Sequence, residues 1–480
     1  MTYTDFIAVI DLGTSHMVGM VGTKNEDGAL SIIAYDVEKS ESCIRRGCVY
    51  NVDETASKIK RLILKLENKL GGSKIGKIYV GVGSKSIRTI DHTVSKVLGA
   101  EGEVTTDVLQ QLENECKAYQ PSMLDVLDVT SPVYVLDGKE ENEPLGISCS
   151  RIEAHYKLIV AQPAVRRSVV NNIAERIKLP IAGILVSPLA LADLVLSPTE
   201  KQGCALIDFG AGVTSVTIFK NGRLLALTVI PLGAHLITRD IMSLRVSETE
   251  AERLKRTYGS ALPLNRDKEQ QKIEINKKDD FRSQEIMLAD LNEIVEARSR
   301  EIVMNAFARL EDAGVAKEPG FSVVIAGSGV ALSDLRESIS ENFGMEVRYA
   351  SVRTGVDSGV EMIANNPEYT TAVALLLKGK ENCAYSPEVK KVEPKVSPRV
   401  QPREIETAET QKEVETPVAP VTFAAEKVQP KPAAEKVAPS YEEEPKASEK
   451  AKDTHKKSNW WDLIKKKAES ASSDLFNDDI

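Results

Sequence analysis

The chain has 480 residues, 62 Lys+Arg against 71 Asp+Glu, and a formal charge of −9, with 42% apolar residues. That length suggests roughly three domains, and the apolar fraction is enough for real cores. An acidic chain argues against bulk nucleic-acid binding, which needs a basic face to displace counterions. Six cysteines with no C-x-x-C pair argue against a disulfide scaffold, a metal cluster or a redox motif.

The start, Met1 to Asp5, has no basic segment before its apolar stretch, so no signal peptide is expected. Residues Phe6–Asp11 read as an apolar strand, Gly13-Thr14-Ser15 as a tight turn, and Met17–Gly22 as a second, alternating strand. Asp27-Gly28 turns into a third strand, Ala29–Tyr35. Thr55–Leu70 follows with Ile59, Leu62, Ile63 and Leu66 at helical spacing, then a strand at Lys77–Val82. Arg166–Ile177 and Pro188–Leu196 read as helices. The apolar run Ala182–Leu196 is broken by Ser187, Pro188 and Asp193, short of the ~18 clean residues of a membrane span. These features place the chain in the cytosol.

The plan of the first hairpins then recurs. Cys204–Asp208 is a strand, Gly210-Ala211-Gly212 a turn, and Thr214–Lys220 a second strand. Asn221-Gly222 is a turn of the primed type, and Arg223–Ile230 a third strand. Leu288–Leu310 is a long helix, Phe321–Ala326 a strand, Gly327-Ser328-Gly329 a turn, and Ala331 onward a helix. Asn366–Leu377 is the last helix of the folded part. The order β-β-β-α-β-α in each half is an α/β arrangement around mixed sheets.

Composition breaks near Tyr385: Ser386–Lys457 carries ten prolines and no glycine, and is expected to be a disordered linker spanning on the order of 50 Å. Next comes Lys456-Lys457-Ser458-Asn459-Trp460-Trp461-Asp462-Leu463-Ile464-Lys465-Lys466-Lys467-Ala468, with both tryptophans of the chain. Capped by Ser458 or Asn459, a helix here gathers Trp460, Trp461, Ile464 and Ala468 on one stripe, with Leu463 at its border. Lys465, Lys466 and Lys467 spread across the other side. Tryptophans favour the membrane–water boundary and lysines favour anionic headgroups, so the helix reads as a weak, reversible membrane anchor; a protein groove is the alternative. Ser470–Ile480 is an acidic tail.

Glycine turns let main-chain N–H groups approach phosphate oxygens, Thr14, Ser15 and Thr214 add hydroxyls, and Asp11 and Asp208 before the turns can hold a hydrated Mg²⁺. The third turn, Gly327-Ser328-Gly329, can lie under a purine or an α-phosphate. One such turn is ordinary; two matching turns and a third outline a nucleotide cleft.

These motifs resemble the actin/Hsp70/sugar-kinase superfamily. Its first phosphate motif is similar to Asp11–Ser15, its second to Asp208–Thr214 (Gly210, Ala211, Gly212, Val213), and its adenosine motif to Ala326–Gly329. Gly183–Val195 and Tyr369–Leu376 resemble the two connecting helices. Within the superfamily, Asp125–Ala154, Ile230–Ile241, Glu248–Tyr258, Glu293–Arg298 and the linker with its terminal helix resemble the FtsA family of bacterial cell-division proteins.

The resemblance implies an actin-like two-lobed fold of duplicated ribonuclease-H-like halves with an inserted α+β subdomain. Residues 1–84 and 160–197 would form the first half, 85–159 the insert, 198–231 and 303–385 the second half, and 232–302 its subdomain. The linker is then 386–457, the membrane-targeting helix 458–469 and the tail 470–480. It also implies ATP with Mg²⁺, with weak or no hydrolysis, and Glu296 and Arg300 bordering the adenosine. Filament formation, anionic inner-membrane lipids, the C-terminal peptide of FtsZ and later division proteins are the implied partners, at the cytoplasmic side of the septum. One departure weakens efficient γ-phosphate chemistry: His16 stands where superfamily members often carry a lysine. A sugar or acid kinase, an Hsp70-like chaperone and a pilus-assembly ATPase are the rival readings.

Overall fold

A computed structural model describes residues 5–385 apart from 27, 41, 100–101, 266, 268–269, 277–282, 353–354 and 358–359. The Pro-rich linker, the helix carrying Trp460 and the acidic tail lie outside the described residues.

The strand-rich start forms one five-stranded sheet, in the order Ile181–Val186, Ile78–Val82, Ile7–Leu12, His16–Lys24 and Leu30–Lys39. Ile7–Leu12 runs antiparallel to His16–Lys24 and parallel to Ile78–Val82. The second half repeats this layout as Glu346–Tyr349, Ser322–Ala326, Gly203–Phe209, Thr214–Lys220 and Arg223–Ile230, with Gly203–Phe209 antiparallel to Thr214–Lys220 and parallel to Ser322–Ala326. In chain order both read fifth, fourth, first, second, third, so the halves are topological duplicates. Each half has a fifth strand, Ile181–Val186 or Glu346–Tyr349, beyond the β-β-β-α-β-α order expected from sequence.

Local chemistry sets these elements. Asn221 and Gly222 take φ of +54° and +75°, the paired positive values of a type I′ turn, and set Lys220 against Arg223. Helix Val52–Lys69 starts where the Asn51 side chain accepts the Glu54 N–H at 3.0 Å, with Asp53 and Glu54 in its positive first turn. Its stripe of Ile59, Leu62 and Leu66 is buried in the first core with Ile10, Met20 and Val80. The segment expected as a helix at Arg166–Ile177 is helical from Pro163, with a π-type middle at Arg167–Ile173.

Two boundaries differ from expectation. After Gly327 the chain makes only a short 3₁₀ turn, Ser328–Ala331, and the helix waits until Leu335–Phe343. Asp334 separates them: it takes φ of +59° and its carboxylate accepts the Ser260 hydroxyl at 2.6 Å. The last helix is Thr370–Lys378 and not Asn366–Leu377; the Asn366 carbonyl accepts the Thr370 N–H at 3.0 Å and its hydroxyl at 2.8 Å, a turn that precedes the helix.

Among the described residues the apolar side chains form three clusters: one in the first half that continues onto one face of the second sheet (Leu206, Leu227, Val324), one on that sheet's other face, and a third of Val94, Leu112, Ile152 and Leu158 in the segment inserted after Ile78–Val82. In the insert Arg88–Val97 pairs along Arg151–Ala161, and helix Thr106–Ala118 buries Val108, Leu112 and Cys116. A pairing of Arg88 with Thr228 joins these strands to the second half, making one ten-stranded sheet.

Helices Ser187–Val195 and Thr370–Lys378 pack together where the chain passes between halves. Asp193 takes Lys201 at 2.6 Å and also Lys378. Arg348 ties the edge strand to this region, donating to Glu200 at 2.6 Å and to the Val195 carbonyl at 3.0 Å. The Arg348 hydrogen bond holds the Glu200 carboxyl down to about 2. A depressed carboxyl contributes stability above its ordinary value of 4.5 and loses it as pH falls towards 2. Arg348→Met is therefore expected to remove ~1–2 kcal/mol at neutral pH, allowing for partial exposure. The gap from wild type should close in urea melts between about pH 4.5 and 2; a pH-independent gap would refute this role for the pair.

Candidate functional site

The first turn leaves its strand at Leu12 and is held from behind. Ser40 donates its hydroxyl to the Gly13 carbonyl at 2.6 Å and its N–H to the Ser15 carbonyl at 3.0 Å. The Thr14 hydroxyl oxygen accepts the Gly47 N–H at 3.0 Å and keeps its own proton to give. Ser15 is exposed, its hydroxyl 2.8 Å from His16 Nδ1.

The second turn is built the same way. The Gly210 N–H donates to the Val213 carbonyl at 3.0 Å, and the carbonyls of Gly210 and Ala211 accept the N–H groups of Ala234 at 3.0 Å and His235 at 2.9 Å. Thr214 is buried and its hydroxyl donates to the Leu232 carbonyl at 2.8 Å, so this side chain braces the turn from inside instead of offering the hydroxyl expected from sequence. Among the described residues, the amides of Gly13, Thr14, Ser15, Ala211, Gly212 and Val213 donate to no protein acceptor. Successive unpaired amides on tight turns form an anion-binding nest.

The two turns touch. A Cβ placed on Gly212 would fall 2.6 Å from Thr14 Cγ2 and 2.8 Å from Thr14 Cβ, so only glycine lets them approach this closely. The third turn closes on the second: Gly327, at φ +87°, lies against the Asp208 carboxylate, and its missing Cβ would fall 2.5 Å from the Phe209 carbonyl oxygen. Ser328 follows it, half-buried. Gly329 packs beside Phe209 and Ala234, over a small apolar gap that Ser299 and Ile302 of helix Leu288–Asp312 also line. Glu296 and Arg300, on the same helix, pair with each other at 3.5 Å.

Asp11 and Asp208 stand at the strand ends beneath these turns. The Ser187 hydroxyl, at the start of its helix, donates to Asp11 at 3.0 Å. Burial pushes the Asp11 carboxyl up to about 6, against the pull of Ser187 and the nearby His16. Burial, and then the charge of Asp11, pushes Asp208 up to about 7. Two desolvated carboxylates that repel one another are an oxygen donor set suited to a hard divalent cation, which would restore both to their charged form.

Sequence reasoning did not single out the ion pair behind the second turn. Lys255, from helix Glu248–Tyr258, is buried and donates to Glu252 at 2.6 Å, Thr238 Oγ1 at 3.0 Å and the Ala234 carbonyl at 3.3 Å. Burial raises the Glu252 carboxyl, but bonds from Lys255, Thr238 and Arg256 outweigh it and hold it at about 2. The i,i+3 spacing of Glu252 and Lys255 is the only trace of this pair in the sequence.

Duplicate mixed sheets meeting through paired glycine turns over two carboxylates define the actin-like two-lobed class. The solved PilM-PilN type IV pilus biogenesis complex shares that fold with a TM-score of 0.54 over 78% of this chain and 98% of that chain, at 16% identity. In sequence, the family model for cell division protein FtsA matches residues 205–374. The cell division protein FtsA of Porphyromonas gingivalis is 35% identical over 379 residues, covering 78% of each chain. That of Bacillus subtilis is 30% identical over 387 residues, covering 78% of this chain and 84% of its own. The chain belongs to the FtsA family of actin-like cell-division proteins.

Proposed function

We propose that this protein binds ATP with Mg²⁺ in the cleft, assembles into filaments, and ties the tubulin-like division protein FtsZ to the cytoplasmic face of the inner membrane, where later division proteins gather. The observation that carries the nucleotide part is the pair of touching turns with six unpaired amides above Asp11 and Asp208. Gly13, Thr14, Ser15, Gly210, Ala211, Gly212 and Val213 would hold phosphates, with Thr214 fixing the second turn. Asp11 and Asp208 would hold Mg²⁺, directly or through its waters, and the ion would neutralise phosphate charge. Gly327, Ser328 and Gly329 would carry the adenosine, with Glu296 and Arg300 towards its border. His16 beside Ser15 leaves the first turn without a lysine, which fits a protein that holds nucleotide and turns it over slowly or not at all.

Family membership supports the division role. Among the described residues no helix is long and apolar enough to cross a membrane. Attachment is assigned instead to Trp460, Trp461, Leu463, Ile464, Lys465, Lys466 and Lys467, in a sequence whose apolar stripe and lysines suit an anionic surface. One such helix binds weakly; many on one filament bind together far more tightly.

Co-flotation with anionic vesicles tests this reading. The full chain should float and carry a peptide of the FtsZ C-terminus with it, whereas the double variant Trp460→Glu, Trp461→Glu should stay below with its peptide. Retained flotation of the double variant would refute the anchor, and flotation without the peptide would refute the tether.

A further inference from the structure

A short hairpin, Ile44–Arg45 against Cys48–Val49, stands beside the first glycine turn. Its two-residue loop is Arg46-Gly47, with φ of +50° and +69°, as a type I′ turn requires. The loop is clamped on both sides. The Gly47 N–H donates to Thr14 Oγ1 at 3.0 Å. The Arg46 carbonyl accepts the Lys85 N–H at 3.2 Å, and Gly47 packs on the Gly83 backbone.

Arginine is a costly residue at this loop's first position. A left-handed backbone suits glycine and asparagine, and asparagine-glycine is the favoured pair for such a turn. A residue kept in an unfavourable conformation at a rigid, well-determined place points to a task for its side chain. The Arg46 side chain is exposed and makes no hydrogen bond or ion pair among the described residues, whereas its neighbour Arg45 is stacked 3.8 Å over the Tyr50 ring. The Arg46 Cα lies two bonds from the amide that touches Thr14, so its long side chain can reach the space over the first turn with no movement of the main chain. The first turn itself carries no lysine or arginine: residues 11–16 read Asp-Leu-Gly-Thr-Ser-His. A triphosphate with one divalent cation still carries net negative charge, and a guanidinium is the side chain that meets phosphate oxygens with two parallel donors.

We propose that Arg46 is a phosphate-binding residue of this cleft, supplying from the neighbouring hairpin the positive charge that the first turn lacks. The proposal rests on the nucleotide reading above and adds to it a binding residue outside the three glycine turns.

The test is calorimetric titration of the full chain with ATP, ADP and adenosine in the presence of Mg²⁺, alongside thermal melts without ligand. Arg46→Asn is expected to weaken ATP about tenfold, as loss of one charge-assisted contact does, weaken ADP less, and leave adenosine unchanged. Its melting temperature should equal or exceed that of wild type, because asparagine-glycine fits the turn better. Arg45→Gln, which removes the stacked neighbouring charge, should keep ATP affinity within about twofold of wild type. ATP affinity unchanged in Arg46→Asn while wild type binds overturns this assignment and leaves the cleft reading standing. Equal weakening in Arg45→Gln also overturns it, since a diffuse field would then explain the effect. No binding by wild type sinks the cleft reading and this residue's role together.

Discussion

Asp208→Asn is expected to weaken Mg²⁺-dependent ATP binding by about 100-fold or more and, in the ligand-free protein, to raise the melting temperature. Both effects come from one carboxyl. Burial and the neighbouring Asp11 raise Asp208 from 3.8 to about 7, so folding disfavours its ionised form. A raised carboxyl means that the folded chain binds the proton more tightly than the unfolded chain. The ligand-free protein therefore loses stability as pH rises from about 3.8 to about 7, and the loss is constant above that. Asparagine escapes this loss, a gain of ~2 kcal/mol at pH 8 after allowance for the cleft's partial opening to water, or several degrees for a domain this large. Removing one of two full charges from a Mg²⁺ site costs the ligand ~3 kcal/mol or more, which sets the loss of affinity. Melts at pH 8 and titrations with and without Mg²⁺ check both arms. A variant that melts below wild type, or binds Mg²⁺-ATP as well as wild type, contradicts the assignment.

Gly212→Ala should separate the two facing turns. Gly212 does not take positive φ, so alanine meets no backbone penalty there, and the three atoms nearest its added Cβ all belong to Thr14. Thr14 has little freedom to retreat, being short, branched at Cβ and bonded to the Gly47 N–H. Overpacking of this kind costs ~1–3 kcal/mol, and nucleotide affinity should fall at least about tenfold as the amide groups move apart. Combining it with Thr14→Gly relieves the contact, so urea unfolding of the four members of the cycle should show the two substitutions costing less together than the sum of each alone. Additive costs would show that the turns do not press on one another.

Much of this cleft can be read along the chain because its parts are local. The second hairpin is signalled by Asn221-Gly222 and a two-residue alternation. Helix Val52–Lys69 is signalled by leucines and isoleucines three and four apart. Strand Ile181–Val186 escaped because it runs straight into the apolar helix Ser187–Val195, and a continuous apolar run hides a change of period; only Ser187-Pro188 marks the junction. The helix expected from Ala331 starts late because Asp334 is held by Ser260, a contact across 74 residues that no local pattern carries. The contact of Gly212 with Thr14, the clamp of Gly47 and the Lys255 ion pair are likewise products of chain folding. Glycine, threonine and aspartate in a turn are ordinary until the fold brings a second copy opposite the first.

The ten-stranded sheet ends in Lys139–Glu141 and Asp125–Val129 on one side and in Glu346–Tyr349 on the other, each three to five residues long and carrying charge. Short, charged borders offer a poor template for β-augmentation by a neighbouring molecule. At these borders a meeting between copies would therefore rest on side chains and not on backbone pairing, unlike at Leu30–Lys39, the ten-residue border of the five-stranded sheet. Joints of that kind can be made and broken without melting secondary structure, as the filament proposed above would need in order to be taken apart.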